Sequence, residues 1–423
     1  MKRPNNIDIY VYADWELIKG PQLMGILNTQ RIRGKEIFSF EYDIDWLNTH
    51  QALFLDPNLG LYRGKQFLPD EKLNFGVFLD SSPDRWGRLL MRRREAYKAK
   101  LEHREEENLF ETDYLLGVHD INRLGGIRFK TQPDGKFLSD DDKLATPPWT
   151  SIRELEYASL QLERDDAFMD PAYSQWLNTI IAPGSSLGGA RPKASVEDEQ
   201  KQLWIAKFPS KLDDKDTAAW EMVLHHLAKA CGINVPETKL QQYSGHHHTF
   251  LSKRFDRTAD NKRIHFASAM TLLGYQDGTN FNDGVSYLDL AGFIMQHGAE
   301  PTSDLQELWI RMVFNILVSN TDDHLRNHGF ILTEKGWRLS PAYDMNPNES
   351  GNGLSLNITS QSNEQDISLA LNTAKHYKLS REKANQLLTE MMTNLSNWRT
   401  VAQSIGINFS QIEQVKRAFR LIK

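Results

Sequence analysis

The sequence of 423 residues contains a single cysteine, Cys231. One cysteine can form neither an internal disulfide nor a metal site of several thiolates, which favours a reducing compartment. An excess of positive charge is also missing, because 50 Lys and Arg stand against 56 Asp and Glu, giving a net charge of −6. Proteins that bind nucleic acid through bulk charge need many basic residues on one surface. We therefore expect any DNA contact to be made mainly through a partner.

Long apolar runs are absent as well. The longest apolar stretch, residues 308–318, is interrupted by Arg311 and Asn315 and falls short of the roughly 20 residues that span a membrane. The N-terminus alternates apolar with polar residues and lacks the apolar core of a secretion signal. These features predict a cytoplasmic protein without a membrane segment.

The composition is that of a folded protein, with 40% apolar and 10% aromatic residues. Since domains cluster near roughly 100–200 residues, two or three structural units are expected. Residues 7–14 and 36–44 alternate as strands do, with turn-prone segments between them, and a charged helix is expected to begin at Ser82 or Asp84. Turn residues concentrate in 131–150, which predicts a domain boundary there.

A glycine-rich segment, GSSLGGARPKASV, occupies residues 184–196. Glycines allow close backbone approach, and successive backbone N–H groups in such a loop can bind phosphate oxygens. The segment matches neither the dinucleotide-binding fingerprint nor the G-x-x-x-x-G-K-[ST] phosphate loop. An ordinary turn therefore remains the alternative to a phosphate-binding loop.

Lys207 follows in an apolar strand, residues 202–209, where an ammonium is costly to bury unless it meets an anion. An amphipathic helix comes next, beginning near Asp216 and stopping at Gly232, and Glu221 flanks its apolar stripe. Protein kinases use a strand lysine and a helix glutamate, placed after a glycine-rich loop, to hold ATP phosphates. A purely structural salt bridge is the alternative for this pair.

The most informative segment follows a second amphipathic helix, for which Ser303 and Gln306 predict a capping box. Asp322 and Asn327 lie five residues apart, as do the catalytic-loop aspartate and the metal-binding asparagine of protein kinases. Two short strands around T-E-K-G then lead to Asp344, where a kinase places its second metal-binding carboxylate. One Asn and one Asp suffice for Mg²⁺, which also takes phosphate and water oxygens as ligands. The kinase motifs H-R-D and D-F-G are both absent.

The motifs together resemble the HipA-like serine/threonine kinases, which are toxins of bacterial type II toxin–antitoxin modules. The family's glycine-rich loop, S-x-x-G-x-x-x-K, is matched by Ser186, Gly189 and Lys193. Its catalytic loop, T-D-x-H-x-x-N, is matched by Thr321, Asp322, His324 and Asn327. The resemblance covers most of the chain.

The resemblance implies ATP and Mg²⁺ as cofactors. Asp322 would be the catalytic base, and Asn327 with Asp344 would bind the metal. The residues that would bind ATP are Ser186, Gly188, Gly189, Lys193, Lys207, Glu221, Lys253, Phe255 and His324. The best-known type of member has an acidic residue at the position of Lys253, which changes a side-chain contact but leaves a backbone contact intact.

Ser186 resembles the family's regulatory autophosphorylation site, and the adjacent Ser185 is the alternative acceptor. Phosphorylation would add about −1.5 to −2 charge to a loop that receives ATP phosphates. We therefore expect it to expel the loop and to switch the kinase off.

The resemblance also implies an α+β fold: a two-lobed, protein-kinase-like body with an additional N-terminal β-rich subdomain and an all-helical C-terminal lobe. The domains would be residues 1–147 (N-terminal HipA-type subdomain), 148–270 (kinase N-lobe) and 271–423 (helical C-lobe). The expected partners are a HipB-like helix-turn-helix antitoxin, operator DNA reached mainly through that antitoxin, and a protein substrate related to translation, a class that in this family includes aminoacyl-tRNA synthetases.

The function expected from these residues is that of a non-specific serine/threonine protein kinase that inhibits growth. A non-catalytic pseudokinase acting as co-repressor with a helix-turn-helix partner is the alternative. A kinase-fold enzyme acting on a small molecule is a further one.

Three other features have structural interpretations. The triplet His246–His248 follows Y-S-G between two strand-like runs and predicts a hairpin turn rather than a metal site. Cys231 lies on an apolar stripe and predicts a core residue. Asp256 stands between Arg254 and Arg257, and would either order both guanidinium groups near the nucleotide or form a surface ion pair.

Overall fold

The computed structural model describes residues 5–50, 52–69, 72–141, 146–181, 189, 191–243 and 245–422. The chain packs into two compact units. The N-terminal unit comprises Met1–Lys211 and Asp256–Ala267, and the C-terminal unit comprises Leu212–Phe255 and Ser268–Lys423. The sequence predicts three domains with boundaries at residues 147 and 270, which differ from the boundaries of these two units. The three-domain division stays a prediction. Within the described part of the chain, every helix is too short or too polar to span a bilayer.

A five-stranded antiparallel sheet forms the first part of the N-terminal unit, with the strand order β4-β3-β2-β1-β5. Its strands are β1 Asn6–Ala13, β2 Gln22–Ile32, β3 Lys35–Tyr42, β4 Gln66–Phe67 and β5 Ile127–Lys130. The strands predicted at the start of the chain are confirmed, whereas β2 lies in a segment predicted to be turn-prone. Four phenylalanines pack against one another on the sheet, namely Phe40, Phe75, Phe78 and Phe129.

The helices of the N-terminal unit are α1 Ile44–Thr49, α2 Gly76–Leu79, α3 Arg85–Leu101, α4 Glu111–Gly117, α5 Ile152–Leu162 and α6 Tyr173–Ile181. Of the two predicted start residues of α3, Asp84 is the N-cap, because its Oδ1 accepts a hydrogen bond from Gly87 N at 2.7 Å. The unit also contains an antiparallel hairpin of β6 Lys193–Glu197 and β7 Leu203–Lys207. The strand predicted at residues 202–209 is therefore confirmed.

The C-terminal unit is mainly helical. Its helices are α7 Thr217–Ala230, α8 Ala269–Leu272, α9 Tyr287–His297, α10 Pro301–Leu317, α11 Ile367–Thr373, α12 Arg381–Leu395, α13 Trp398–Ile405 and α14 Phe409–Val415. Its hairpins pair β8 Thr238–Gln241 with β9 Thr249–Lys253, and β11 Gly329–Thr333 with β12 Gly336–Leu339. The short strand β10, Phe266–Ser268, lies where the chain passes from the N-terminal unit back into the C-terminal unit. The predicted C-terminal lobe is thus helical apart from the β11–β12 hairpin, which its sequence also predicts.

Helix α10 runs through the core of the C-terminal unit, with Leu305, Leu308 and Trp309 fully buried. The capping box predicted from Ser303 and Gln306 is wrong. The helix begins two residues before Ser303, because Pro301 occupies the first helical position. The fixed φ of proline suits the helix there, and the N–H of a first helical residue has no acceptor within the helix, so its absence costs no hydrogen bond.

Other local predictions are confirmed. Helix α7 begins after its N-cap Asp216, whose side chain accepts from Ala219 N at 3.1 Å. Cys231 follows that helix and is buried, and burial raises the pKa of its thiol to about 12. The histidine triplet lies in the connection between β8 and β9, where His248 Nδ1 is 2.5 Å from Asp216 Oδ2.

An arginine cluster lies in the N-terminal unit, with Arg123 and Arg257 buried and Arg128 and Arg263 half-buried. It consists of Arg123, Arg128, Arg257 and Arg263 together with Asp120 and Asp256. Arg123 is fully buried and donates hydrogen bonds to the backbone carbonyls of Ser81, Leu115, Val118 and Leu138. Arg257 pairs with Asp256 at 2.6 Å, and both are buried. The interpretation of Asp256 as part of a surface ion pair is therefore wrong.

Candidate active site

The predicted catalytic loop follows helix α10 directly. The side chain of Asp322 is 79% exposed, and its Oδ1 lies 3.8 Å from His324 Nε2. Asn327 ends a short 3₁₀ turn, and its Nδ2 donates to Asp322 O at 2.6 Å. This bond fixes the amide orientation and leaves Oδ1 of Asn327 as the atom suited to bind a metal. The loop thus presents an accessible carboxylate beside an oriented amide oxygen.

The segment that carries Asp344 is bonded to the catalytic loop at several points. Tyr343 Oη donates to Arg326 O at 2.8 Å. Further along, Asn346 N donates to Asn320 Oδ1 at 3.2 Å, and Asn348 N donates to Ser319 O at 3.0 Å. These contacts bring the three predicted catalytic and metal-binding residues onto two backbone segments that are hydrogen-bonded to each other.

Asp344 itself has a left-handed backbone, with φ of +58°. Non-glycine residues adopt this region rarely, although Asp and Asn tolerate it better than other residues. Such conformations cost on the order of 1–3 kcal/mol and cluster at functional sites. The backbone at Asp344 therefore agrees with a carboxylate whose direction matters for function.

A buried network supports the loop from within the C-terminal unit. Asp323, next to the predicted base, accepts hydrogen bonds from Tyr287 Oη at 2.6 Å and from Ser355 N at 2.7 Å. Asn315 Nδ2 donates to the same phenol oxygen at 2.9 Å, and Asn320 Nδ2 donates to Asn315 Oδ1 at 3.0 Å. We call Asp323, Tyr287, Asn315 and Asn320 the loop-support network. It joins α9 and α10 to the loop and, through Asn320, to the Asp344 segment.

Burial changes the titration of the groups around this network. It raises the pKa of Asp323 to about 7 and raises that of Tyr287 well above its ordinary value. It lowers the pKa of His328 to about 3, so that this imidazole is neutral near pH 7 and its Nε2 donates to Asp323 O at 3.3 Å. A cavity of about 20 Å³, lined among others by Asn315, Asn320 and His328, has room for one water molecule.

Four residues of the C-terminal unit that are predicted to bind ATP lie in three places. Lys253 ends β9, and Phe255 follows it with its ring centroid 5.8 Å from that of Tyr343. Glu221 is buried on α7. His324 is half-buried in the catalytic loop, and its Nδ1 has no hydrogen-bond partner among the described residues. The Phe255–Tyr343 contact brings the predicted ATP-binding residue Phe255 to the segment that carries Asp344.

The remaining predicted residues belong to the N-terminal unit. Lys193 and Lys207 stand directly opposite each other on β6 and β7. Lys193 is buried and lies 3.3 Å from Asp84, a pairing that sequence reasoning did not foresee. Gly189 has a φ of +83°, which suits glycine. Ser185, Ser186 and Gly188 lie outside the described residues, and the pairing of Lys207 with Glu221 stays a prediction.

Sequence reasoning also missed Asp323 and Tyr287. The doubled aspartate in T-D-D-H could have indicated a role for Asp323. Two adjacent residues in one loop commonly face different surroundings, so if one aspartate is the exposed base, the other is expected to point into the protein. Tyr287 lies 36 residues away from Asp323 and carried no local signal. Its role depends on the packing of α9.

Comparisons with known proteins identify chains that this one is similar to. A Haemophilus influenzae protein named "Putative kinase" is 30% identical over an alignment of 179 residues, which covers 38% of this chain and 52% of that protein. The serine/threonine-protein kinase toxin HipA of Shewanella oneidensis is 25% identical over an alignment of 263 residues, which covers 55% of this chain and 59% of that protein. The chain thus spans little more than half the length of these curated relatives.

Among solved structures, HipA of Shewanella oneidensis MR-1, in a complex with HipB and its operator DNA, has a TM-score of 0.66 at 17% identity. The likeness covers 98% of this chain and 95% of that one, and it confirms the predicted α+β, kinase-like fold class. The family model described as the HipA-like C-terminal domain matches residues 185–399, which is just over half of the chain. The protein therefore belongs to the family that carries a HipA-like C-terminal domain.

Proposed function

We propose that this protein is an ATP- and Mg²⁺-dependent serine/threonine protein kinase. The observation that carries the proposal is the catalytic loop, in which the exposed Asp322 and the oriented Asn327 are bonded to each other. The segment of Asp344 is hydrogen-bonded to that loop through Tyr343. An accessible carboxylate beside two hard oxygen ligands is the set of groups that phosphoryl transfer requires.

The proposed chemistry assigns each residue one task. Asp322 accepts the proton of a serine or threonine hydroxyl while the hydroxyl oxygen forms a bond to the γ-phosphorus of ATP. The bond between that phosphorus and the bridging oxygen breaks, and ADP leaves. Lys207 contacts phosphate oxygens, and Phe255 contacts the adenine. The side-chain oxygens of Asn327 and Asp344 would hold Mg²⁺, which would supply positive charge to neutralise the phosphates.

We further propose that the protein is the toxin of a toxin–antitoxin pair, restrained by a helix-turn-helix antitoxin. Two observations support this: the fold is that of a HipA bound to HipB and operator DNA, and the net charge of −6 gives this chain no bulk attraction to DNA. Its substrate would be a protein of the translation machinery, such as an aminoacyl-tRNA synthetase. Autophosphorylation of Ser186, or of Ser185, would restrain it further.

The test is incubation of the purified protein with ATP and Mg²⁺, followed by mass spectrometry of the glycine-rich segment. We expect phosphate on Ser186 or Ser185. Loss of a general base lowers rates by about 10²–10⁴-fold, so Asp322→Asn should reduce incorporation at least about 100-fold. Glu334→Gln is the matched control, because it removes an exposed carboxylate from the β11–β12 turn and should leave incorporation unchanged.

Two outcomes would contradict the proposal. If Asp322→Asn incorporated phosphate as fast as the unaltered protein, Asp322 would not be the base. If calorimetry detected no ATP binding while a helix-turn-helix partner bound tightly, the pseudokinase co-repressor would replace the kinase. Phosphoproteomics of cells after brief expression of the unaltered protein and of Asp322→Asn would then identify the substrate of an active kinase.

A further inference from the structure

Lys193 is a buried cation at the start of β6. Its side chain is 4% exposed, and its Nζ lies 3.3 Å from Oδ2 of Asp84, which is 1% exposed. An ammonium loses its hydration when it is buried, and a nearby carboxylate offsets that cost. Asp84 is 109 residues away in the sequence and precedes α3, so the contact ties two distant parts of the N-terminal unit together.

The register of the β6–β7 hairpin makes this counter-charge more important. Lys193 stands directly opposite Lys207, the residue assigned to the ATP phosphates. Residues opposite each other in an antiparallel pair share one face, with Cβ atoms about 4.5–5.5 Å apart, and like charges there are destabilising. The Asp84 carboxylate neutralises one of these two cations.

Lys193 also lies close to the backbone at Gly189, within the same glycine-rich segment. A Cβ placed on Gly189 would lie 3.2 Å from Lys193 Nζ, so the ammonium group stands beside the backbone at Gly189. With a φ of +83° at Gly189, a side chain there would be strained as well as crowded. The position of the ammonium therefore limits where this backbone can lie.

Asp84 is itself held firmly. One of its oxygens caps α3 through Gly87 N at 2.7 Å, while the other faces Lys193. Helix α3 is anchored by the buried side chains of Trp86 and Leu90. The carboxylate that meets Lys193 is thus fixed by a helix terminus.

We propose that Asp84 is a positioning residue that fixes Lys193 and, through it, the backbone at Gly189 next to the nucleotide. The part of this proposal that concerns ATP rests on the proposed function. Asp84 touches no substrate in this role and acts by holding the ammonium. The segment before α3 would thereby set how tightly the glycine-rich segment receives ATP.

The decisive variant is Asp84→Asn in the full-length protein. Asparagine is as good an N-cap as aspartate, so α3 keeps its cap while Lys193 loses the opposite charge. We expect faster hydrogen–deuterium exchange in peptides that contain Gly189 and β6. ATP affinity should fall about tenfold in calorimetry, the ratio that corresponds to 1.4 kcal/mol, and KM for ATP should rise more than kcat falls.

Asp43→Asn is the matched control. Asp43 caps α1 in the same unit, accepting from Asp45 N at 2.9 Å, and the same substitution there should change neither exchange in β6 nor ATP affinity. Unchanged β6 exchange in Asp84→Asn would overturn the proposal. If the unaltered protein did not bind ATP, the proposed function would fail, and the exchange measurement alone would decide the role of Asp84.

A double variant tests whether the effect passes through Lys193. Asp84→Asn combined with Lys193→Gln removes both charges and leaves two amides in their place. We expect it to recover much of the β6 protection that Asp84→Asn loses. If the double variant exchanged as fast as Asp84→Asn, the charge of Lys193 would not be the cause, and the proposal would be wrong.

Discussion

The two units bury their polar groups in opposite ways. The N-terminal unit contains the partly buried arginine cluster, in which guanidinium groups bind carboxylates and backbone carbonyls. The C-terminal unit supports its catalytic loop with the loop-support network of two amides, a phenol and one carboxylate. Although burial lowers the pKa of Arg123 to about 9, that side chain remains charged at neutral pH. The first arrangement therefore keeps its charge over the physiological range, whereas the second contains a group that titrates within it.

The largest effect is expected from Arg123→Met, which breaks the centre of the arginine cluster. The substitution leaves several buried carbonyls without their donor and should cost about 3–5 kcal/mol of unfolding free energy. The measurement is the urea transition followed by tryptophan fluorescence. The control is Arg153→Met at an exposed position of α5, and equal midpoints for the two variants would contradict a structural role for the buried arginine.

A smaller effect is expected from Tyr287→Phe in the loop-support network. Removing the hydroxyl leaves Asp323 and Asn315 without one partner each and should cost about 1–3 kcal/mol. Tyr377→Phe is the matched control, because this phenol is equally buried in the same unit, and among the described residues its hydroxyl has only a weak thioether contact, with Met312 Sδ at 3.7 Å. Thermal denaturation should separate the two variants. A larger loss in Tyr377→Phe would refute the network.

The smallest effect concerns pH. The pKa of Asp323 is about 7 in the folded protein, whereas an ordinary aspartate has a pKa of 3.8, so the folded state binds more protons between these values. This group's contribution to stability is therefore present below pH 3.8 and is lost as pH rises toward 7. The Asp323→Asn variant has no ionisable carboxyl group at this position, so it lacks this contribution to the pH dependence. Between pH 5 and pH 8 the melting temperature of the unaltered protein should fall relative to that of the variant by at least about 2–4 °C.

A parallel pH dependence in the two proteins would mean that Asp323 does not titrate in this range. Such a result would also remove the contrast between the two units, because both would then carry fixed charges. The proteins should be compared at constant ionic strength, since screening changes exposed ion pairs more than buried ones.

Local signals predicted much of the framework that holds the site. The β11–β12 hairpin follows from alternation around T-E-K-G, and α7 follows from its apolar stripe between Asp216 and Gly232. The spacing of Asp322 and Asn327 predicted a pair that the structure joins by a hydrogen bond. Each of these features depends on residues close together in the chain.

The features that sequence reasoning missed are contacts between distant residues. Asp323 meets Tyr287 across 36 residues, and Lys193 meets Asp84 across 109. Their side chains are polar and buried, and the periodicity of apolar residues does not predict contacts between buried polar side chains. The start of α10 was misplaced for a different reason, because a proline at the first helical position replaced the expected side-chain cap.

The return of residues Asp256–Ala267 to the N-terminal unit has a consequence for biosynthesis. Asp256 accepts from Gly125 N at 2.9 Å, Arg257 donates to Arg123 O at 2.9 Å, and Glu16 N donates to Arg263 O at 2.9 Å. A ribosome that adds about 5–20 residues per second needs roughly 6–25 s to pass from the end of β5 to this segment. The first sheet is thus synthesised well before its last partners exist. A fragment ending at residue 147 would never acquire them.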